Sequence, residues 1–219
     1  MASIVQSLRF FSCYGLSLTA LFLLAAVPSE IIGFYLHQSF ATTGELSGGF
    51  VDLLTSVLIE PLATGAAIFF IESRDQGGKL SIYDSLMKST GIYFPLATSY
   101  LLVFVMVTLG LSLYLIPGFY LLYKLMFVEY RVALKKEQPM EAIRASFNQT
   151  KGRWSLLFLP FVVLLIILLS SQTLIGYLLT SQGDDMLLQV FGGVFESPFM
   201  AFAVVVGYRL FSLTSEPLS

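Results

Sequence analysis

Long apolar runs, separated by short polar segments, make up most of the chain. Each run consists mainly of Leu, Val, Ile, Phe and Ala, and most runs exceed the ~20 residues that a helix needs to cross the hydrocarbon core of a bilayer. None shows the strict alternation expected of membrane β-strands. The pattern predicts an all-α polytopic membrane protein with six transmembrane helices, at about residues 10–35, 50–73, 91–115, 117–134, 154–179 and 186–213.

Two polar connections have the pattern of short amphipathic helices that lie on the membrane surface, at about residues 81–90 and 139–150. In the first, Ser81 and Asp84 have the spacing of a capping box. In the second, Pro139 suits the first helical turn, where its missing N–H costs nothing. Both connections are therefore predicted to be helical rather than irregular loops.

The second surface helix is expected to place Met140, Ile143 and Phe147 on one apolar face. Cations beside such helices, and an aromatic residue at the interface, are typical of segments that lie against anionic lipid. We therefore expect lipid head-group contacts from Arg74, Lys79, Arg131, Lys135, Lys136, Arg144, Lys151, Arg153, Trp154 and Arg209.

A candidate internal repeat relates two parts of the chain at an offset of 57 residues, from Arg74 to Arg131. An even number of predicted crossings separates the copies, so the repeat would be parallel. The alternative is that any helix ending at the cytoplasmic surface tends to acquire an Arg, because its side chain reaches lipid phosphates. Further pairs at the same offset favour a true repeat: Lys79 with Lys136, Asp84 with Glu141, Leu86 with Ile143, and Ser89 with Ser146.

The composition supports a membrane location for the whole chain. Of 219 residues, 56% are hydrophobic and 12% are charged, and the mean hydropathy is +0.82. A soluble domain has about 25% charged residues, so we expect one integral membrane domain over residues 1–219. The net charge of −2 and the lack of a basic surface with interleaved aromatic residues argue against nucleic-acid binding.

The distribution of cations predicts the orientation. The connections after the first, third and fifth predicted crossings contain no Lys or Arg, and eleven of the twelve cations fall on the other side. By the positive-inside rule, that side is cytoplasmic. Both termini should then be cytoplasmic. Residues 1–30 also resemble a cleavable signal peptide, but apolar sequence continues beyond them, so we expect a retained first crossing.

Glu60, Lys124 and Glu196 are the candidate functional residues, because their predicted positions lie within the membrane. One charge at the bilayer centre costs about 2.5–3.5 kcal/mol. One interpretation is a structural ion pair between Lys124 and a glutamate. The other is a polar cavity between the second, fourth and sixth helices that binds a head group or relays protons. Both interpretations stay open at this point.

Other ionisable residues are assigned more ordinary positions. We expect Glu30 to be interfacial, Glu129 to be a local anchor beside Arg131, and His37 to lie in a solvated loop. The single cysteine excludes an internal disulfide and a zinc site built from several thiolates. No nucleophile–base pair, cofactor motif or metal-ligand cluster is evident, which favours a protein without an enzymatic activity, a cofactor or a metal.

The sequence of residues 115–158, "LIPGFYLLYKLMFVEYRVALKKEQPMEAIRASFNQTKGRWSLLF", resembles a pattern in a broad group of bacterial inner-membrane proteins. This group includes YciC-like proteins and the membrane domain attached to some glycerophosphoryl diester phosphodiesterases. The resemblance implies a six-helix protein of the bacterial inner membrane. It does not imply phosphodiesterase activity, because the soluble catalytic domain is not part of this sequence.

Three functional hypotheses follow. The first is a non-enzymatic protein that binds or moves a lipid-like amphiphile through a polar intramembrane cavity. The second is a structural, assembly or regulatory scaffold for other membrane proteins. The third is a proton-coupled transporter of small molecules. The expected partners are membrane lipids and, for the second hypothesis, other membrane proteins or a second copy of the chain.

Overall fold

The computed structural model describes residues 2–41, 48–180 and 186–215. Within these ranges the chain forms helices and no strand. The helices are α1 (Ala2–Ala41), α2 (Gly48–Asp75), α3 (Ile82–Thr90), α4 (Tyr93–Leu113), α5 (Leu115–Leu125), α6 (Val128–Lys135), α7 (Pro139–Thr150), α8 (Trp154–Thr180) and α9 (Met186–Ser215). The predicted all-α class is confirmed.

Four helices are long and apolar enough to cross a membrane: Gln6–Ser39, Tyr93–Leu113, Trp154–Tyr177 and Met186–Ser215. They correspond to the first, third, fifth and sixth predicted crossings. The second predicted crossing lies within α2, and the fourth is divided between α5 and α6. Among the described residues, neither of these two meets the same criteria, so six crossings stay a prediction.

The long helices form an open ring. Helix α1 packs along α9 and α2, α2 packs against α4, α4 against α5, and α8 against α9. Helices α6 and α7 pack together at one end, where they also contact α4. The largest buried cluster lies between α1, α2 and α9 and includes Leu18, Leu21, Ala66, Ala67, Ile68 and Val205.

Helices α4 and α5 form a hairpin that turns at a single extended residue, Tyr114. The connection between the crossings predicted at 91–115 and 117–134 therefore lies slightly earlier than expected, because residues 115–118 form the first turn of α5. Pro117 is tolerated there, since the first turn has no intrahelical partners for its N–H groups. The hairpin closes tightly because a Cβ atom on Gly110 would lie only 3.1 Å from the Cα atom of Gly118.

The segment predicted as a crossing at residues 117–134 is interrupted, because the helix breaks at Met126 and Phe127. The side chain of Ser146, in α7, spans the break. Its hydroxyl donates a hydrogen bond to the Lys124 carbonyl at 2.7 Å and accepts one from the Phe127 N–H at 3.3 Å. One carbonyl and one N–H released by the break are therefore satisfied by a side chain of α7.

The two short helices predicted at residues 81–90 and 139–150 are present as α3 and α7. The hydroxyl of Ser81 accepts a hydrogen bond from the Asp84 N–H at 3.1 Å, as expected for a capping box. At the equivalent place before α7, the Gln138 N–H donates to the Glu141 carboxylate at 3.4 Å.

Of the predicted apolar face of α7, Met140 is 55% exposed and Ile143 is buried. The helix instead buries a face of mostly small residues against α4, α5 and α6: Ala142, Ile143, Ser146 and Thr150. Packing on neighbouring helices, rather than lipid alone, decides which face is covered.

We predict that Ser146→Ala destabilises the fold by about 1–3 kcal/mol, because it leaves buried backbone groups at Lys124 and Phe127 without a partner. The measurement is unfolding of the purified protein in mixed micelles. Ser85→Ala is the matched control: Ser85 is equally buried, but its hydroxyl bonds only to the Ser81 carbonyl at the start of its own helix. Equal destabilisation by both substitutions would contradict the assignment of a special role to Ser146.

Candidate functional site

A cavity of about 1230 Å³ occupies the interior of the open ring. Helix α1 lines it from Phe22 to Gln38, a rise of ~24 Å at 1.5 Å per residue. The other walls come from α2, α4, α5, α6, α8 and α9. Their apolar lining residues include Ala63, Val103, Leu122, Phe161, Leu165 and Met200.

Polar side chains of α1, α8 and α9 form one part of the cavity wall. Glu30 packs directly on α9, since a Cβ atom on Gly193 would lie 2.9 Å from its Cγ atom. One helical turn along α9, the Gln172 side chain donates a hydrogen bond to the Glu196 carboxylate at 3.1 Å. The absence of a side chain at Gly193 thus makes space for a carboxylate within the bundle.

A second polar group lies where α2, α4 and α6 meet. The Tyr100 hydroxyl donates a hydrogen bond to the Thr64 hydroxyl at 2.8 Å, and it also interacts with the Glu129 carboxylate. Glu60 is close enough to interact electrostatically with Glu129 and Tyr100. The break between α5 and α6 redirects the chain so that Glu129 reaches this group.

The lining is strongly acidic. Glu30, Glu60, Glu129 and Glu196 all line the cavity, whereas no Lys or Arg does so among the described residues. The carboxylates are also spread out: within the described ranges, no three His, Cys, Asp or Glu residues are grouped in a way that would hold a metal ion. The site is suited to accepting hydrogen bonds and to binding a positive charge at several separate points.

The cavity brings together two of the three predicted residues, Glu60 and Glu196. Lys124 does not line it. Its ammonium group lies 5.6 Å from the centre of the Tyr120 ring and 5.7 Å from that of Tyr123. No described carboxylate lies within 4.0 Å of it, so the predicted ion pair is wrong.

Helix geometry explains the position of Lys124. Leu122 lines the cavity, and Lys124 follows it by two residues, or about 200° around the helix. The two side chains therefore lie on nearly opposite faces of α5. The depth of a residue can be predicted from its distance to a charged helix end, but its direction around the helix axis requires knowledge of the neighbours.

Three cavity residues were assigned elsewhere from the sequence. Glu30 and His37 were expected at the membrane edge and in a loop, but both lie within α1 and line the cavity. Glu129 was expected to be a local anchor beside Arg131, but it lines the cavity, and Arg131 pairs with Glu137 at 2.7 Å. An acidic residue inside an apolar run was the available signal, and it applied to Glu30 as much as to Glu60.

Several cations predicted to contact lipid instead hold one end of the bundle together. Arg131 also donates to Gln149 at 2.6 Å, and Arg209 pairs with Asp75 at 2.6 Å. Arg153 donates to the Thr214 carbonyl, and the Arg74 guanidinium lies 5.0 Å from the centre of the Phe70 ring. The predicted lipid-contact residues that are exposed are Lys79, Lys135, Lys136, Arg144, Lys151 and Trp154.

No protein-family model, characterised protein or solved structure matches the chain. The function must therefore be argued from the cavity itself.

We predict that a cysteine introduced in place of Ser29, which lines the cavity, reacts with water-soluble thiol reagents when exposed Cys13 is replaced by serine. A cationic reagent should react about tenfold faster than an anionic one, because the carboxylates concentrate positive charge. Rates are measured on the folded protein and normalised to those of free cysteine.

The matched control is Ala201→Cys, at a buried position of α9 that does not line the cavity; it should stay unreactive. Equal rates for the two reagents at the Ser29 position would show that the cavity lacks the negative potential assigned to it.

Proposed function

We propose that the protein binds or moves a lipid-like amphiphile in the cavity, and that the polar end of this amphiphile carries a cation or several hydrogen-bond donors. The observation that carries the proposal is a cavity with apolar walls and separated carboxylates among helices that are apolar enough to cross a membrane. Such a lining matches a molecule that has an apolar part and a polar part.

The charge of the lining favours a positive group over a negative one. A carboxylate removed from water is costly unless it is paired, hydrogen-bonded or protonated. Gln172 contributes one hydrogen bond to Glu196, and the described lining contains four glutamates and no Lys or Arg. An amine-bearing ligand would supply this charge, whereas an anionic head group would be repelled.

The packing of α8 supports access from the lipid. Among the described residues, α8 packs extensively only along α9. It meets α5 at Tyr123, whose ring centre lies 4.9 Å from that of Trp154 and 5.7 Å from that of Phe161. Away from this contact, α5 and α8 are not packed together, and the space between them provides a lateral path for an amphiphile.

Two substitutions on α1 test the proposal. Ala26 lines the cavity, whereas Leu24 is 60% exposed on the outer surface of the same helix. We predict that wild type and Leu24→Trp co-purify with a defined amine-bearing amphiphile. Ala26→Trp should retain about tenfold less, because its indole occupies the ligand's space.

The measurement is mass spectrometry of extracts from proteins purified in mild detergent, with folding checked by size-exclusion chromatography. The proposal fails if wild type retains no specific amphiphile, or if Ala26→Trp retains as much as Leu24→Trp.

Proton-coupled transport is the second candidate, because carboxylates in a cavity can exchange protons. It differs from simple binding in one measurable respect: uptake into reconstituted vesicles would require a pH gradient.

We also propose six crossings, counting α2 and the broken α5–α6 segment, with both termini in the cytoplasm. The distribution of cations supports this topology. The internal repeat is supported by α3 and α7, which begin at equivalent positions and carry equivalent serines, Ser89 and Ser146. Each of these hydroxyls donates to a carbonyl of an earlier helix: Ser89 to Leu62 in α2 at 2.9 Å, and Ser146 to Lys124 in α5 at 2.7 Å.

The resemblance to YciC-like proteins stays a proposal, and with it the location in the bacterial inner membrane. Two single cysteines in the Cys13→Ser background test the orientation. Ile116→Cys, at the exposed start of α5, should react with an impermeant reagent in intact cells. Lys135→Cys should react only after the membrane is made permeable. The reverse pattern would overturn the orientation.

A further inference from the structure

A second charged site lies outside the cavity, on the other face of α5. Lys124 is only 8% exposed, yet its ammonium group has no carboxylate within 4.0 Å among the described residues. Its near neighbours are the rings of Tyr120 and Tyr123. A buried charge is costly unless it is paired, so this arrangement calls for an anion that the chain itself does not supply.

The surroundings of Lys124 add positive charge rather than neutralising it. Lys151 lies close enough for the two ammonium groups to repel each other. It follows α7 and is exposed, so it can approach the same anion as Lys124. Two cations close together, with no carboxylate within 4.0 Å of Lys124 among the described residues, form a site for a multiply coordinated anion such as phosphate.

Aromatic residues indicate where this anion comes from. Tyr120 is 50% exposed and Trp154 is 52% exposed, and the ring centres of Tyr123 and Trp154 are 4.9 Å apart. Tyr and Trp at the ends of apolar helices prefer the level of the lipid head groups. The ammonium of Lys124 therefore lies beside side chains typical of the membrane interface.

We propose that Lys124 and Lys151, flanked by Tyr120, Tyr123 and Trp154, bind the phosphate of an anionic phospholipid head group. The phosphate provides the counter-charge, and the exposed aromatic residues contact the glycerol and upper acyl chains. This site is separate from the cavity and does not depend on the function proposed for the cavity, since none of its five residues lines that space.

The test measures binding of dioleoylphosphatidylglycerol and dioleoylphosphatidylcholine to the full chain in a neutral detergent, by native mass spectrometry. Wild type should bind the anionic lipid about tenfold more tightly, as expected when a charged group makes charge-assisted hydrogen bonds. Lys124→Met should lose most of this preference, and Lys151→Gln should lose part of it.

Lys88→Met is the matched control, because Lys88 also lies over an aromatic ring, that of Phe69 at 4.9 Å, but on a different surface. It should keep the wild-type preference. Lys124→Met should unfold at the same temperature as lipid-free wild type or higher, because it removes an uncompensated charge.

Four results would overturn the proposal. The first is a wild-type protein that does not distinguish the two lipids. The second is an undiminished preference in Lys124→Met, and the third is an equal loss in Lys88→Met. The fourth is that inorganic phosphate protects wild type against thermal unfolding as well as phosphatidylglycerol does, which would identify a simple anion site rather than a lipid site. The cavity variant Ala26→Trp should bind phosphatidylglycerol normally, so the two sites can be tested separately.

Discussion

The pair of hydrogen bonds made by Ser146 is the constraint on which the interior of the protein depends. In an apolar medium an unsatisfied backbone group costs several kcal/mol, so a membrane helix can break only where other groups replace its lost bonds. Ser146 does this for both sides of the break between α5 and α6. The redirected chain then brings Glu129 to Tyr100, and it lets the Tyr130 hydroxyl donate to the Val204 carbonyl at 3.1 Å.

Small residues extend the same principle to the rest of the bundle. Ser89 donates to the Leu62 carbonyl, and its hydroxyl occupies the space left by the missing side chain of Gly65. Gly207 makes comparable space for the Tyr130 ring. Hydrophobic burial distinguishes poorly between helix arrangements when the solvent is itself apolar, so close approach and satisfied polar groups must supply the specificity.

These requirements explain which parts of the structure could be predicted from the sequence. Hydropathy and capping residues predicted α3 and α7 well, because Ser81 and Pro139 act locally. The break at Met126 and Phe127 could not be predicted in this way. No Gly or Pro marks it, and the residue that stabilises it lies 20 residues later, in α7. Likewise, the number of residues between Lys124 and Arg131 predicts the depth of Lys124 in the membrane. Only packing determines that Leu122, rather than Lys124, faces the cavity.

The cavity carboxylates and the ammonium group of Lys124 lie on opposite sides of α5 and do not pair with each other. A direct ion pair between Lys124 and a cavity glutamate would neutralise both groups and leave little reason for either to bind a ligand. Instead, the carboxylates line the interior while Lys124 lies on the opposite face of α5 with Lys151. The fold therefore presents four glutamates to the cavity on one face of α5 and Lys124 with Lys151 on the other, and the ligand chemistry proposed for each site follows from this separation.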